Sequence, residues 1–184
     1  MSDVLTQAFE IYRTATPVLR IHSIGGARWR RNVASGGRIG PWLQAKYTVL
    51  DNAAWEAREP CLYLVAGADS VIRYVGISRN RMRDRWRTSP AYDATTGQRL
   101  PVNQLFHSQC WKHIERESST GIAGFEVRCI TGAKLLSVLA KLGPPMSAFP
   151  ASEADPETTV NAVERWLCNN KSARLVSWNA AMTR

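Results

Sequence analysis

"CLYLVAGADSVIRYVGISRNRMRDRW", residues 61–86, is the stretch on which the fold turns. CLYLV and VIRYV are rich in β-branched and aromatic residues, and AGADS between them has turn chemistry, so a β-hairpin is predicted. A turn centred between Ala68 and Asp69 sets Tyr63 directly opposite Tyr74, with both phenols on one face of the sheet. A slip of one residue would send one of them to the other face. After Gly76 an arginine stands at every second position from Arg79 to Arg87. Asn80 is a candidate cap for a short helix whose Met82 and Trp86, four apart, share a buried face. On that helix Arg81 and Arg85 fall on one side, and Arg83 and Arg87 on another.

Working outward, residues 3–14 have helical apolar spacing and stop before Pro17. Residues 20–40 are basic and carry glycine pairs at 25, 26 and at 36, 37, which read as punctuation between short strand-like or loop segments. Trp29 is flanked there by Arg28, Arg30 and Arg31. That composition suits phosphate contact with stacking, and equally an aromatic anchoring a loop to the core. LQAKYTVL (43–50) reads as a strand and DNAAWEARE as a helical turn. VNQLFHSQCWKHIERE reads as a helix, GFEVRCI (124–130) as a third strand of the core, and AKLLSVLAKL as a helix ended by Gly143, Pro144 and Pro145. Thr158 or Thr159 is expected to cap a last helix through VNAVERWLCNN.

The chain has 184 residues, enough for one domain with a sizeable core. Its 24 Lys and Arg against 15 Asp and Glu leave +9, and 19 of the basic residues are Arg. Arginine's planar fork pairs bidentately with phosphate and with the guanine edge, so the excess points to nucleic acid, against a plain solubilising charge as the alternative. Cys61, Cys110, Cys129 and Cys168 are far apart with no CxxC spacing, which indicates neither a zinc site nor a disulfide framework. MSDVLTQAFEIYR lacks the basic lead and apolar run of a signal peptide. No segment approaches the roughly 18 apolar residues of a membrane span, so a cytoplasmic protein is expected.

Taken together, these residues resemble the GIY-YIG nucleases. Cys61-Leu62-Tyr63 stands where that family has Gly-Ile-Tyr, and Tyr74-Val75-Gly76 where it has Tyr-Ile-Gly. The family's arginine, glutamate and asparagine match Arg85 in RDRW, Glu164 in AVERWL and Asn179 in VSWNAA. Three departures stand out: Cys61 replaces the usual glycine, Arg85 lies one residue late, and Ser89 sits where a histidine is common. His107, Lys112 and His113 lie in the variable stretch, where a helix could carry one of them, His107 first, to the place of that histidine. The resemblance implies an α+β fold: a small antiparallel three-stranded sheet flanked by helices over residues 60–184. A variable insertion at about 88–123 and an N-terminal extension, residues 1–59, forming a DNA-contacting arm complete it.

The resemblance further implies a metal-dependent DNA endonuclease of the site-specific restriction type, acting on double-stranded DNA as a homodimer, with no membrane role. Tyr63 would assist water deprotonation and Tyr74 would help place phosphate or water. Arg85 would clamp the phosphate, Glu164 would hold one Mg2+ (or Mn2+), and Asn179 would brace the site. Arg28, Arg30, Arg31, Arg81, Arg83 and Arg87 are the expected DNA contacts. The alternatives are an inactive nucleic-acid-binding module with the same fold, or a structure-selective or nonspecific nuclease.

Overall fold

The computed structural model describes residues 4–31, 36–86, 108, 110–122, 124–142, 155–171 and 174–179, with the side chains of 25–31, 38–44 and 112 excepted. The chain runs α1 (Val4–Thr14), β1 (Thr16–Arg31), β2 (Arg38–Val49), α2 (Asn52–Glu56), β3 (Cys61–Gly67), β4 (Ile72–Ser78) and α3 (Met82–Trp86). Then follow α4 (Cys110–Ser119), β5 (Phe125–Thr131), α5 (Gly132–Leu139) and α6 (Pro156–Asn169).

The class is α+β, as expected, but the sheet has five strands, not three. Their order is β2-β1-β5-β3-β4 and every neighbouring pair is antiparallel. The two extra strands come from the stretch read as an N-terminal extension. Gly25 and Gly26, read as a break, instead form a bulge inside one strand: Ile24 pairs with Ala45 and Ala27 with Leu43, so the ladder continues across them. Glycine punctuates a strand as readily as it ends one, and the 16-residue β1 was therefore hidden.

Strand β3 is buried along its whole length, because helices cover both faces of the sheet. Side-chain alternation sends Cys61, Tyr63 and Val65 to one face, where they pack with Val127, Trp55, Met82, Trp86 and Trp111. Leu62, Leu64 and Ala66 go to the other, against Ile11, Leu135, Val160, Val163 and Leu167. So α2, α3 and α4 lie on the tyrosine face, and α1, α5 and α6 on the opposite one. Helix α6 starts earlier than expected: Asp155, not Thr158 or Thr159, accepts from the backbone N–H groups of Glu157 and Thr158, with Pro156 in the first turn. No helix among the described residues is long and apolar enough to cross a membrane.

Candidate active site

The hairpin turn is one residue longer than expected. The Ser70 N–H donates to the Gly67 carbonyl and the Gly67 N–H to that of Val71, with Ser70 in the left-handed region at φ 61°. This makes a three-residue loop. A bulge at Arg73 follows, since Val65 pairs with Tyr74 but Ala66 with Ile72. Tyr63 consequently faces Gly76, and Tyr74 faces Val65. The predicted direct pairing of the tyrosines is thus off by two residues. A slip of two preserves the face, so the phenols still meet diagonally, their ring centroids 6.0 Å apart and their planes within 25°.

That register explains the glycine of Tyr74-Val75-Gly76. A Cβ at Gly76 would lie 2.6 Å from both Cζ and the hydroxyl oxygen of Tyr63 and 2.8 Å from the Tyr74 ring. The phenol of Tyr63 rests on the bare backbone opposite it. Trp86 meets the Tyr63 ring edge-on at 5.7 Å, and Trp111 meets Trp86 at 5.4 Å, closing an aromatic wall around it.

Helix α3 brings Arg85 into this wall, and its Nε donates to the Tyr63 hydroxyl at 3.2 Å. Tyr63 is fully buried. Burial first, and then proximity to Cys110, push its pKa up to about 12, against the pull of Arg85 and the Ser108 hydroxyl. The pKa of Tyr74 is raised as well, by burial and then by Tyr63. Both phenols are therefore neutral at pH 7 in this arrangement: one arginine does not offset the loss of water.

Glu164 approaches from the opposite face of the sheet. Val160, Val163 and Leu167 of α6 are buried, and Glu164 stands half-buried at the flank. Burial raises its pKa, opposed by the positive charges of Arg85, then Arg79 and Arg165. Among the described residues Glu164 makes no hydrogen bond or ion pair, although three arginines act on it. Two turns earlier on α6, Glu157 takes the Arg79 Nε, and Asn161 accepts from Arg79 Nη2 at 3.5 Å. The row Glu157, Asn161, Glu164 follows the i, i+4, i+7 rule for one helix face, which is how α6 reaches the arginines. Between the end of β4 and α3 lies a cleft of about 330 Å³ lined by Ile77, Ser78, Arg79, Asn80, Asp84 and Arg85.

No group of three or more His, Cys, Asp or Glu occurs among the described residues. Glu164, the carboxylate the resemblance assigns to a metal, fits Mg2+, which keeps most of its waters and binds through one or two carboxylates plus substrate phosphate.

Asn179 is buried at the outer edge of β4. Its Oδ1 accepts from the Val75 N–H at 3.0 Å and its Nδ2 donates to the Val75 carbonyl at 2.7 Å. Its neighbours continue the pairing, Val176 N–H to Ile72 and Trp178 N–H to Arg73. The amide is spent on the strand that carries Tyr74.

Of the residues expected to meet, Tyr63, Tyr74, Arg85 and the charge of Glu164 come together, with Asn179 behind them. Arg79 and Asp84 were missed as cleft residues: Arg79 directly follows β4 and Asp84 lies in α3. Also missed was a network around the Arg73 bulge that joins the buried Arg73 to the exposed Asp69 and the half-buried Glu117. Arg73 forks onto Asp69 at 2.7 and 2.9 Å and reaches Glu117 at 2.7 Å, whose other oxygen accepts from Trp178 Nε1 at 2.6 Å. Nothing in sequence spacing signals a bulged arginine turning inward.

The outer arginines are arranged differently from the helical-wheel expectation. Helix α3 begins only at Met82, so Arg81 precedes it, and Arg81 and Arg83 both reach Glu56 of α2, at 3.3 and 3.0 Å. Arg87, Ser89 and His107 lie outside the described residues. The backbones of Arg28, Arg30 and Arg31 belong to β1, and their side chains lie outside the described ones. Comparison of the chain with protein-family models, curated proteins and solved structures finds no match.

Proposed function

We propose that this chain is a divalent-metal-dependent DNA endonuclease of the GIY-YIG kind, cutting duplex DNA site-specifically as a homodimer. The observation that carries the reading is the hydrogen bond from Arg85 Nε to a Tyr63 hydroxyl seated on Gly76, with Glu164, which makes no hydrogen bond or ion pair among the described residues, under the charge of the same guanidinium. These groups lie 22 and 79 positions apart in the chain.

Phosphodiester hydrolysis needs a positioned water, relief of charge on the non-bridging oxygens and a route for the water's proton. Among the described residues the Nη groups of Arg85 have no hydrogen-bond partner and would take a phosphate entering the cleft beside Arg79, and its fixed charge would stabilise the extra negative charge of the transition state. Mg2+ or Mn2+ held by Glu164 would supply Lewis acidity and a water of lowered pKa. Tyr63, the proposed proton acceptor, acts only after losing its own proton, which ties the rate to alkaline pH. Tyr74 borders it and orients the water or phosphate. Cutting both strands of a palindrome requires two such sites, which a two-fold dimer provides.

Purified protein incubated with plasmid and Mg2+ gives discrete fragments on this reading, and a smear if the nuclease is nonspecific. Glu164→Ala and Tyr63→Phe should each remove cutting while leaving a gel shift intact. Normal cutting by both variants would sink the assignment. A second reading, duplex binding without cleavage, is favoured by the complete burial of Tyr63; intact plasmid that still shifts on the gel is its signature.

A further inference from the structure

Strand β1 pairs with β5 only through Ile21, opposite Phe125, while its pairing with β2 continues to Arg31, opposite Arg38. Ile24 and Ala45 still pack against the tyrosine-face core. Beyond them, at the Gly25–Gly26 bulge, the two strands continue as a ribbon with no third strand among the described residues. Seven residues on each side, at about 3.3 Å apiece, give a reach of about 23 Å.

The composition of this ribbon is one-sided. Between residues 25 and 44 stand Arg28, Arg30, Arg31 and Arg38, and the sequence holds no Asp or Glu from residue 11 to residue 50. Arg31 lies directly opposite Arg38, and like charges facing across an antiparallel pair repel. Elsewhere the protein supplies carboxylates to its arginines: Glu56 for Arg81 and Arg83, Glu157 for Arg79, Glu126 for Arg20 and Arg128. A ribbon that repels itself and contains no counter-charge is built for an anion from outside. A further bulge between Arg28 and Arg30 sets Trp29 against Gly40 and Pro41, and each such irregularity bends and twists the ribbon.

We propose that the β1–β2 ribbon is a duplex-reading arm that enters the major groove of B-form DNA, with Arg28, Arg30, Arg31 and Arg38 supplying the phosphate and base-edge contacts. The partner class is taken from the nuclease reading, and the arm deepens it by separating recognition from cutting. The major groove, about 12 Å wide and 8.5 Å deep, admits a two-stranded ribbon, and a reach of about 23 Å crosses it. The major groove of A-form RNA is too narrow and deep for this. The arm therefore makes the protein prefer DNA.

Fluorescence anisotropy tests it, using a labelled 30-base-pair DNA duplex and an RNA duplex of the same sequence over a salt series. The wild type binds the DNA duplex more tightly than the RNA. The triple variant Arg28→Ala/Arg30→Ala/Arg31→Ala binds DNA about 30-fold or more weakly near 150 mM salt, and the slope of log K against log salt shrinks by about 2.7, roughly 0.9 for each lost contact. A second variant, with residues 25–44 replaced by Asn-Gly, keeps the β1–β5 pairing and loses the preference for DNA, with circular dichroism confirming the fold. Unchanged affinity and slope in the triple variant, or a DNA preference that survives in the shortened one, overturns the proposal. Cutting is read separately with Glu164→Gln: arm-dependent binding by a wild type that never cuts would remove the nuclease assignment and leave the arm standing.

Discussion

The two hairpins of this protein, β3–β4 and β1–β2, use the same antiparallel pairing for opposite ends. The first is packed by helices on both faces, braced at its outer edge by Asn179, and fixed in register by a three-residue turn and the Arg73 bulge. The second packs on the core through Val18, Leu19, Ile21, Ile24, Ala45 and Val49, and beyond them no third strand joins it among the described residues. It carries three irregularities in its pairing and gathers arginines where the first buries tyrosines. Packing on both faces gives the positional accuracy a reaction centre needs, whereas a hairpin released from the sheet gives reach.

The difference can be broken most forcefully at Gly76. Gly76→Ala places a methyl group 2.6 Å from the Tyr63 phenol in a site with no room to yield, and should cost about 3 kcal/mol in urea unfolding. Retention of stability would mean that the register of β3 and β4 is looser than described. Arg73→Met tests the other end of the same hairpin. It leaves Glu117 without its cation, with the Trp178 indole N–H as its remaining donor, and a loss of about 3 kcal/mol is expected for a largely buried pair broken on one side.

Glu164→Gln sharpens the comparison by separating function from stability. Cutting falls at least 100-fold. Because burial raises the folded-state pKa of Glu164 above its unfolded value, the stability tied to its protonated form is present at low pH and lost as pH climbs through that folded pKa. Glutamine avoids the loss, so the variant should melt up to about 3 °C higher than wild type at pH 7 and no higher at pH 4. A variant less stable at pH 7 would show that Glu164 has a structural partner.

The pH profile addresses Tyr63 directly. With its pKa near 12, the cutting rate should rise about tenfold per unit from pH 6 to pH 9 and show no plateau there. A flat profile would move the proton acceptor elsewhere. The smallest effect is expected at Arg83, whose partner Glu56 is a surface carboxylate shared with Arg81: Arg83→Ala should leave the melting temperature within error and weaken DNA binding only slightly, unlike the arm variants.

Much of the first hairpin was legible because its signals are local. Strand formers on either side of AGADS fix two strands, and a period of two fixes the face of each tyrosine. That is why a register wrong by two residues still placed the phenols together. The second hairpin was obscured by Gly25, Gly26 and Pro41, residues that end strands in most settings and here only bend one. Asn179 was among the expected site residues, but its bond to Val75 needs the final segment to run beside β4, which no spacing announces.

By itself, then, the sequence determined which segments extend or coil, which face each side chain takes along a strand, and that arginine outweighs acid from end to end. Tertiary structure alone decided that β1 joins β5, that Glu164, on a helix across the sheet, comes under the charge of Arg85, and that Tyr63 keeps its proton. The physical reason is that alternation and propensity are properties of neighbours in the chain, whereas strand partners, approach across a sheet and the loss of water around a phenol depend on what is packed over them.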